Sequence, residues 1–124
     1  MIKQIIIVGI GGAAGSVLRY LSYVFTSRYY SNAFPLSTFG VNVLGCLLIG
    51  LFIGFIERST DANPHLRLLL ITGFCGGFTT FSAFSLENIS LMQAGNYSTA
   101  MFYIVGSILA GVAAVWLGLM LSKI

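Results

Sequence analysis

At 124 residues, 57% hydrophobic and only 7% charged, the chain has too few charged side chains to cover a soluble core, which usually takes about 25% charge. A mean hydropathy of +0.96 points instead to lipid as the solvent. The net charge of +3 rests on six basic and three acidic residues. No basic cluster or aromatic-basic interleave accompanies it, which excludes nucleic acid as a partner.

Four apolar segments follow in chain order, over about 5–25, 38–56, 66–92 and 99–121. A helix rises 1.5 Å per residue, so about 20 residues cross the roughly 30 Å hydrocarbon layer. In lipid the backbone must satisfy its own hydrogen bonds, so each segment is expected to be a helix. The connectors are too short to hold a further domain. The expectation is an all-α membrane protein forming a single four-helix transmembrane domain over 1–124. The start of the chain, Lys3 and then IIIVGIGGAAGSVL, is built like a signal peptide. Its continuation through Arg19 to Tyr20 and Tyr23, with three more spans behind it, argues for a retained helix.

An even number of spans puts both termini and the second connector on one side. Lys3, Arg58, Arg67 and Lys123 lie there, against Arg19 and Arg28 opposite. The positive-inside rule favours cytoplasmic termini only weakly. Orientation is poorly specified.

The first span carries Gly11 and Gly15 as G-x-x-x-G, and Arg19 as the one cation well inside a span. Arg19 has two readings: it snorkels to the interface, or it draws anions to a vestibule. The second span carries Gly50 and Gly54, and a stripe of Thr38, Asn42, Cys46, Gly50 and Gly54. Asn42 either bonds a neighbouring helix or offers two N–H donors to an anion. The fourth span carries Gly106, Ala110, Ala114 and Gly118 at four-residue spacing. Small stripes let helices approach closely. Taken together they exceed what one small bundle needs, so an oligomer is expected.

The third span is the most informative. Residues 76–85 read GGFTTFSAFS. Two glycines cost a helix interior about 1 kcal/mol each, and Thr79 and Thr80 add β-branched stiffness. A break here frees carbonyls at mid-membrane, tolerated only where protein or a cavity covers them, and freed carbonyls can coordinate a cation. Downstream, Phe81 and Phe84 share a helix face beside Ser82 and Ser85. Ring edges are positive, so with hydroxyl and amide donors they can replace part of an anion's hydration shell. Ordinary aromatic packing explains the same pair. Glu87 either caps an interfacial turn or lines a pathway mouth.

Elsewhere the chemistry is sparse. Cys46 and Cys75 lack C-x-x-C spacing and read as packing residues. His65 reads as a solvated connector residue. No zinc pattern, P-loop or G-x-S-x-G is present, so the chain is not expected to be an enzyme. Asn88-Ile-Ser90 and Asn96-Tyr-Ser98 match the glycosylation pattern, which is common by chance.

Three stretches carry a resemblance. GGAAGSVLRY (11–20), STFGVNVLGCLLIG (37–50) and GFCGGFTTFSAFSLE (73–87) resemble the helix motifs of the bacterial fluoride channels of the Fluc/CrcB family, and the match covers almost the whole chain. The resemblance implies an antiparallel, dual-topology homodimer in the bacterial inner membrane, with a third helix broken at mid-membrane. It implies passive, fluoride-selective export of cytoplasmic fluoride and resistance to its toxicity. By position, Asn42, Phe81, Phe84, Thr80, Ser82, Ser107, Tyr103 and Thr38 fall on the fluoride pathway. Arg19 and Glu87 fall at its vestibule and mouth. Gly76 and Thr79 fall where backbone carbonyls hold a structural sodium ion at the dimer interface. The fourth span is poorer in hydroxyls than the family's polar track, with Gly111 and Ala114 beyond Ser107.

Two rivals remain. A small multidrug transporter is also short and four-spanning, but needs a carboxylate near mid-membrane, and this chain has none there. A purely structural membrane module explains the glycine stripes but not Asn42 together with the polar break.

Overall fold

The computed structural model describes all 124 residues and is all-helical. Helix α1 spans Ile2–Tyr29 and α2 spans Leu36–Arg58. The third span, Pro64–Gln93, is built of two parts. Its first part, α3 (64–78), opens with Pro64–Arg67, widens into a π-helix over Leu68–Cys75 and tightens again at Gly76–Phe78. Its second part, α4, is Phe81–Gln93. Helix α5 spans Tyr97–Leu121. Four spans are long and apolar enough to cross a membrane.

Helix starts and stops follow local chemistry. Pro64 stands in the first turn, where its missing N–H costs nothing, and Asn63 Oδ1 accepts from the His65 amide at 2.9 Å. His65 is therefore a half-buried first-turn residue and not a solvated loop side chain. Between α4 and α5 the chain turns at Gly95, whose φ of +82° suits glycine. Asn96 N donates to Leu91 O and Gly95 N to Met92 O, at 2.8 and 3.0 Å. These two bonds are a Schellman closure, and they explain how so short a connector reverses the chain.

Two glycine seams join the helices. On the first, α1 lies against α3. A Cβ at Gly11 would stand 2.9 Å from Phe74 N, one at Gly15 would stand 2.7 Å from Phe78 N, and one at Gly77 would stand 3.0 Å from Gly12 Cα. On the second, α2 lies against α5. A Cβ at Gly50 would stand 3.0 Å from Leu119 N, and one at Gly118 would stand 2.8 Å from Leu51 N. Gly54 makes room for the fully buried Ser122, whose carbonyl accepts from Arg58 Nη1. The G-x-x-x-G pairs are thus used within the subunit. The oligomer expectation draws no support from these stripes, because Gly11, Gly15, Gly50, Gly54 and Gly118 already have partners in their own chain. Gly106 alone among the stripe glycines faces open space.

The remaining core is aromatic. Leu91, Ala100 and Tyr103 are buried together, with Phe34, Phe39, Phe84 and Met92 packed around them. This cluster pins α4 to α5 and to the start of α2.

Candidate functional site

The polar residues converge where the third span is interrupted. Thr79 (φ −85°, ψ 157°) and Thr80 (φ −150°, ψ 122°) are both extended. Gly76, by contrast, is helical, so the turn departs from helix at the threonines and not at the glycine pair. The glycines instead serve the close approach of α1. Thr79 Oγ1 folds back onto Cys75 O at 2.8 Å. Thr80 then caps α4, its Oγ1 accepting from Ala83 N at 3.2 Å, which satisfies one of the orphan donors of a helix start.

Asn42 meets this turn from α2. Its Nδ2 donates to Thr80 O at 3.0 Å and its Oδ1 accepts from Thr80 N at 2.8 Å. An extended residue offers N–H and C=O side by side, as in an antiparallel hydrogen-bonded pair, and the carboxamide is the side chain that matches both. One of the two donors expected for an anion is therefore already engaged. One turn along α2, Gly45 admits the Thr79 side chain.

From α1, Arg19 Nε donates to Gly77 O at 3.1 Å, and Ser16 Oγ approaches the same oxygen at 3.5 Å. Arg19 is thus turned inward to the third span and does not simply snorkel. It shares a cavity of about 350 Å³ with Ser16, Thr38, Thr80 and Glu87.

Glu87 is held by two hydroxyls. Thr38 Oγ1 donates to its Oε1 at 2.5 Å and Tyr103 OH donates to its Oε2 at 2.7 Å. Glu87 lies inside α4, so it caps no turn. A second cavity, of about 530 Å³, opens from Glu87 and Thr38 toward Tyr30, Phe34 and Ser90. The two cavities have Tyr23, Ser37, Thr38 and Glu87 in common.

The rings form a connected series. Phe81 and Phe84 have centroids 5.7 Å apart. Phe84 meets Tyr103 edge-on at 5.0 Å, and Tyr103 meets Phe34 edge-on at 5.3 Å. Phe84 is half-buried, whereas Phe81 is 79% exposed on the subunit. Ser82 is exposed beside it and lies 3.2 Å from Thr80 Oγ1. Ser107, one turn beyond Tyr103 on α5, has a buried hydroxyl with no protein partner.

Gly76 and Thr79 line a groove of about 380 Å³ together with Asn42, Cys46, Cys75 and Thr80. In a continuous helix the Thr80 amide would bond Gly76 O, and the Ala83 amide would bond Thr79 O. Here those amides go to Asn42 Oδ1 and Thr80 Oγ1. Two carbonyls on one groove are thereby released, and hard oxygen donors of this kind suit a hard cation. No cluster of three His, Cys, Asp or Glu side chains offers a rival metal site.

Sequence reasoning missed three contributors. Ser16 stands three residues before Arg19, a spacing that puts both on one helix face. Thr80 was read as a pathway residue and not as a helix cap. Asn88 matched a glycosylation pattern, yet it is 5% exposed inside α4 and donates to Phe84 O at 2.9 Å.

These features define a class: a four-span helical membrane protein with an interrupted third span and a lined polar-aromatic track. The chain belongs to the family described as CrcB-like protein, Camphor Resistance (CrcB), which matches residues 6–119. A relative in Flavobacterium psychrophilum, named fluoride-specific ion channel FluC, is 48% identical over 121 residues, 98% of each chain. A relative of the same name in Azobacteroides pseudotrichonymphae is 50% identical over 123 residues, covering 99% of this chain and 98% of its own. A third, in Rhizobium johnstonii, also so named, is 51% identical over 120 residues, covering 97% and 96%. The chain is a multi-pass bacterial membrane protein.

Proposed function

We propose that this chain is a passive, fluoride-selective ion channel that exports cytoplasmic fluoride and so gives resistance to it. The observation that carries the reading is the junction of the Thr79–Thr80 interruption with the aromatic-hydroxyl track. The relatives' names supply the ion.

The chemistry follows from fluoride's size. A small, hard anion loses most on dehydration, so it needs close donors in place of water. Two extended residues carry the amides of Phe81 and Ser82 out of reach of helical acceptors, at the positive end of α4. The ring edges of Phe81 and Phe84 add positive quadrupole. Asn42 has a second amide hydrogen to give, and Thr80, Ser82 and Ser107 add hydroxyls. The Thr38 and Tyr103 hydroxyls donate their hydrogen bonds to Glu87. Only a strong acceptor can share donors already held by a carboxylate, and fluoride is a stronger acceptor than chloride. Selectivity then arises from donors and not from fixed charge. The anion is driven outward by the membrane potential, about 2.3 kcal/mol per 100 mV. Entry as neutral HF and trapping as the anion supply the need for it.

The working unit in this reading is an antiparallel, dual-topology homodimer with its third helices broken at mid-membrane. The weak charge bias between the two sides, four basic residues against two, supports it. A twofold copy would bring the two released carbonyls of Gly76 and Thr79 to four, a set suited to a structural sodium ion. When bound, that ion would offset the repulsion of the converging carbonyl dipoles and so serve structure.

Planar-bilayer recording tests the reading. Under a fluoride gradient opposed by a chloride gradient, the reversal potential is expected to follow fluoride. A reversal set by chloride or by the cation would overturn it.

A further inference from the structure

We propose that Asn42 and Arg19 are positioning residues that sort the carbonyls of the interruption, capping Thr80 and Gly77 and leaving Gly76 and Thr79 free. An interrupted helix releases several carbonyls at once, and each uncapped one is costly in lipid. Across 75–80, Phe78 apart, the carbonyls divide. Cys75 O accepts from Thr79 N and Thr79 Oγ1, at 3.0 and 2.8 Å. Gly77 O accepts from Arg19 Nε, and Thr80 O accepts from Asn42 Nδ2. Gly76 O and Thr79 O lose their helical donors, because the Thr80 and Ala83 amides point elsewhere. Asn42 does two things with one carboxamide: it covers Thr80 O and, by taking Thr80 N–H, uncovers Gly76 O. Arg19 acts through its Nε atom, so its place in the fold depends on a donor at that position and not on its charge.

The functional consequence rests on the reading of Gly76 and Thr79 as sodium ligands; the capping itself does not. The two are separated by two readouts. The first is fluoride efflux from liposomes in N-methylglucamine medium, titrated with sodium. The second is amide hydrogen exchange of the purified channel over 76–84.

Glutamine places Nε2 where arginine carries Nε, while lysine places a methylene there and keeps the charge. Arg19→Gln is therefore expected to keep the wild-type sodium midpoint and exchange rate. Arg19→Lys is expected to raise both by about tenfold, the scale of one lost hydrogen bond. The reverse order, lysine conserving and glutamine failing, would overturn the assignment and make Arg19 an anion lure. Asn42→Ser is expected to speed exchange at the Thr80 amide by about tenfold and to raise the sodium midpoint. Unchanged exchange would overturn the role of Asn42. Where Asn42→Ser yields no folded protein, isosteric Asn42→Asp makes the same test, since its carboxylate repels Thr80 O. If wild-type flux ignores sodium, the sodium reading fails, and the exchange rates of the same variants still decide the capping.

Discussion

The two glycine seams and the Thr79–Thr80 turn sit in one small subunit, and they solve opposite problems. At the seams, Gly11, Gly15, Gly50 and Gly118 remove side chains so that backbone meets backbone. At the turn, the backbone leaves the helix and its polar groups must be met one by one by Asn42, Arg19, Thr79 and Thr80. The seams make the scaffold rigid enough for the turn to hold an irregular shape. Small stripes build the fold; the costly polar residues build the pathway.

The comparison breaks most sharply if a seam tolerates bulk. Gly15→Val is expected to abolish folding, because its Cβ would press on Phe78 N and Gly77 C at 2.7 and 3.1 Å, backbone that cannot yield. Overpacking of this kind costs about 3 kcal/mol or more, and size-exclusion yield reads it. Next in size, Phe81→Ile with Phe84→Ile is expected to lower fluoride efflux by about 100-fold, equivalent to ~2.8 kcal/mol, with the particle mass unchanged. Loss of mass in place of flux would return these rings to packing. Tyr103→Phe removes a donor from Glu87 Oε2. It is expected to cost about 1–2 kcal/mol of stability, read as a lower Tm, with efflux reduced about tenfold. Smallest is Gly9→Ala, where no atom stands within 4 Å of the new Cβ. Helix propensity predicts a gain of up to ~1 kcal/mol, and a rise in Tm measures it.

Much of this was legible in the sequence because lipid simplifies the code. Hydropathy located all four spans, and the helices overrun the expected ends by only a few residues. Asn42 and Arg19 stood out because polar groups in a span need a reason. Which partner each one takes was not legible. Both bond to the backbone of residues more than 35 positions away, and the sequence pattern carries no mark of a backbone acceptor. The interruption was expected across Gly76, Gly77, Thr79 and Thr80, since glycine is a poor helix former and the threonines are β-branched. Close packing against Gly12 holds Gly77 in place, and the departure shifts to the threonines, whose hydroxyls can replace the lost amide bonds. The same packing removes the support that the stripes lent to an oligomer, because a stripe of small residues does not say whether its partner lies in the same chain.

The most direct test of the channel reading is ion release from liposomes. The protein is reconstituted into vesicles loaded with potassium fluoride, valinomycin is added to carry the balancing charge, and external fluoride is followed by electrode. A parallel sample holds potassium chloride. The account predicts fast fluoride release that requires valinomycin, with no chloride release. Well-folded protein that releases no fluoride, or that releases both anions alike, would contradict it.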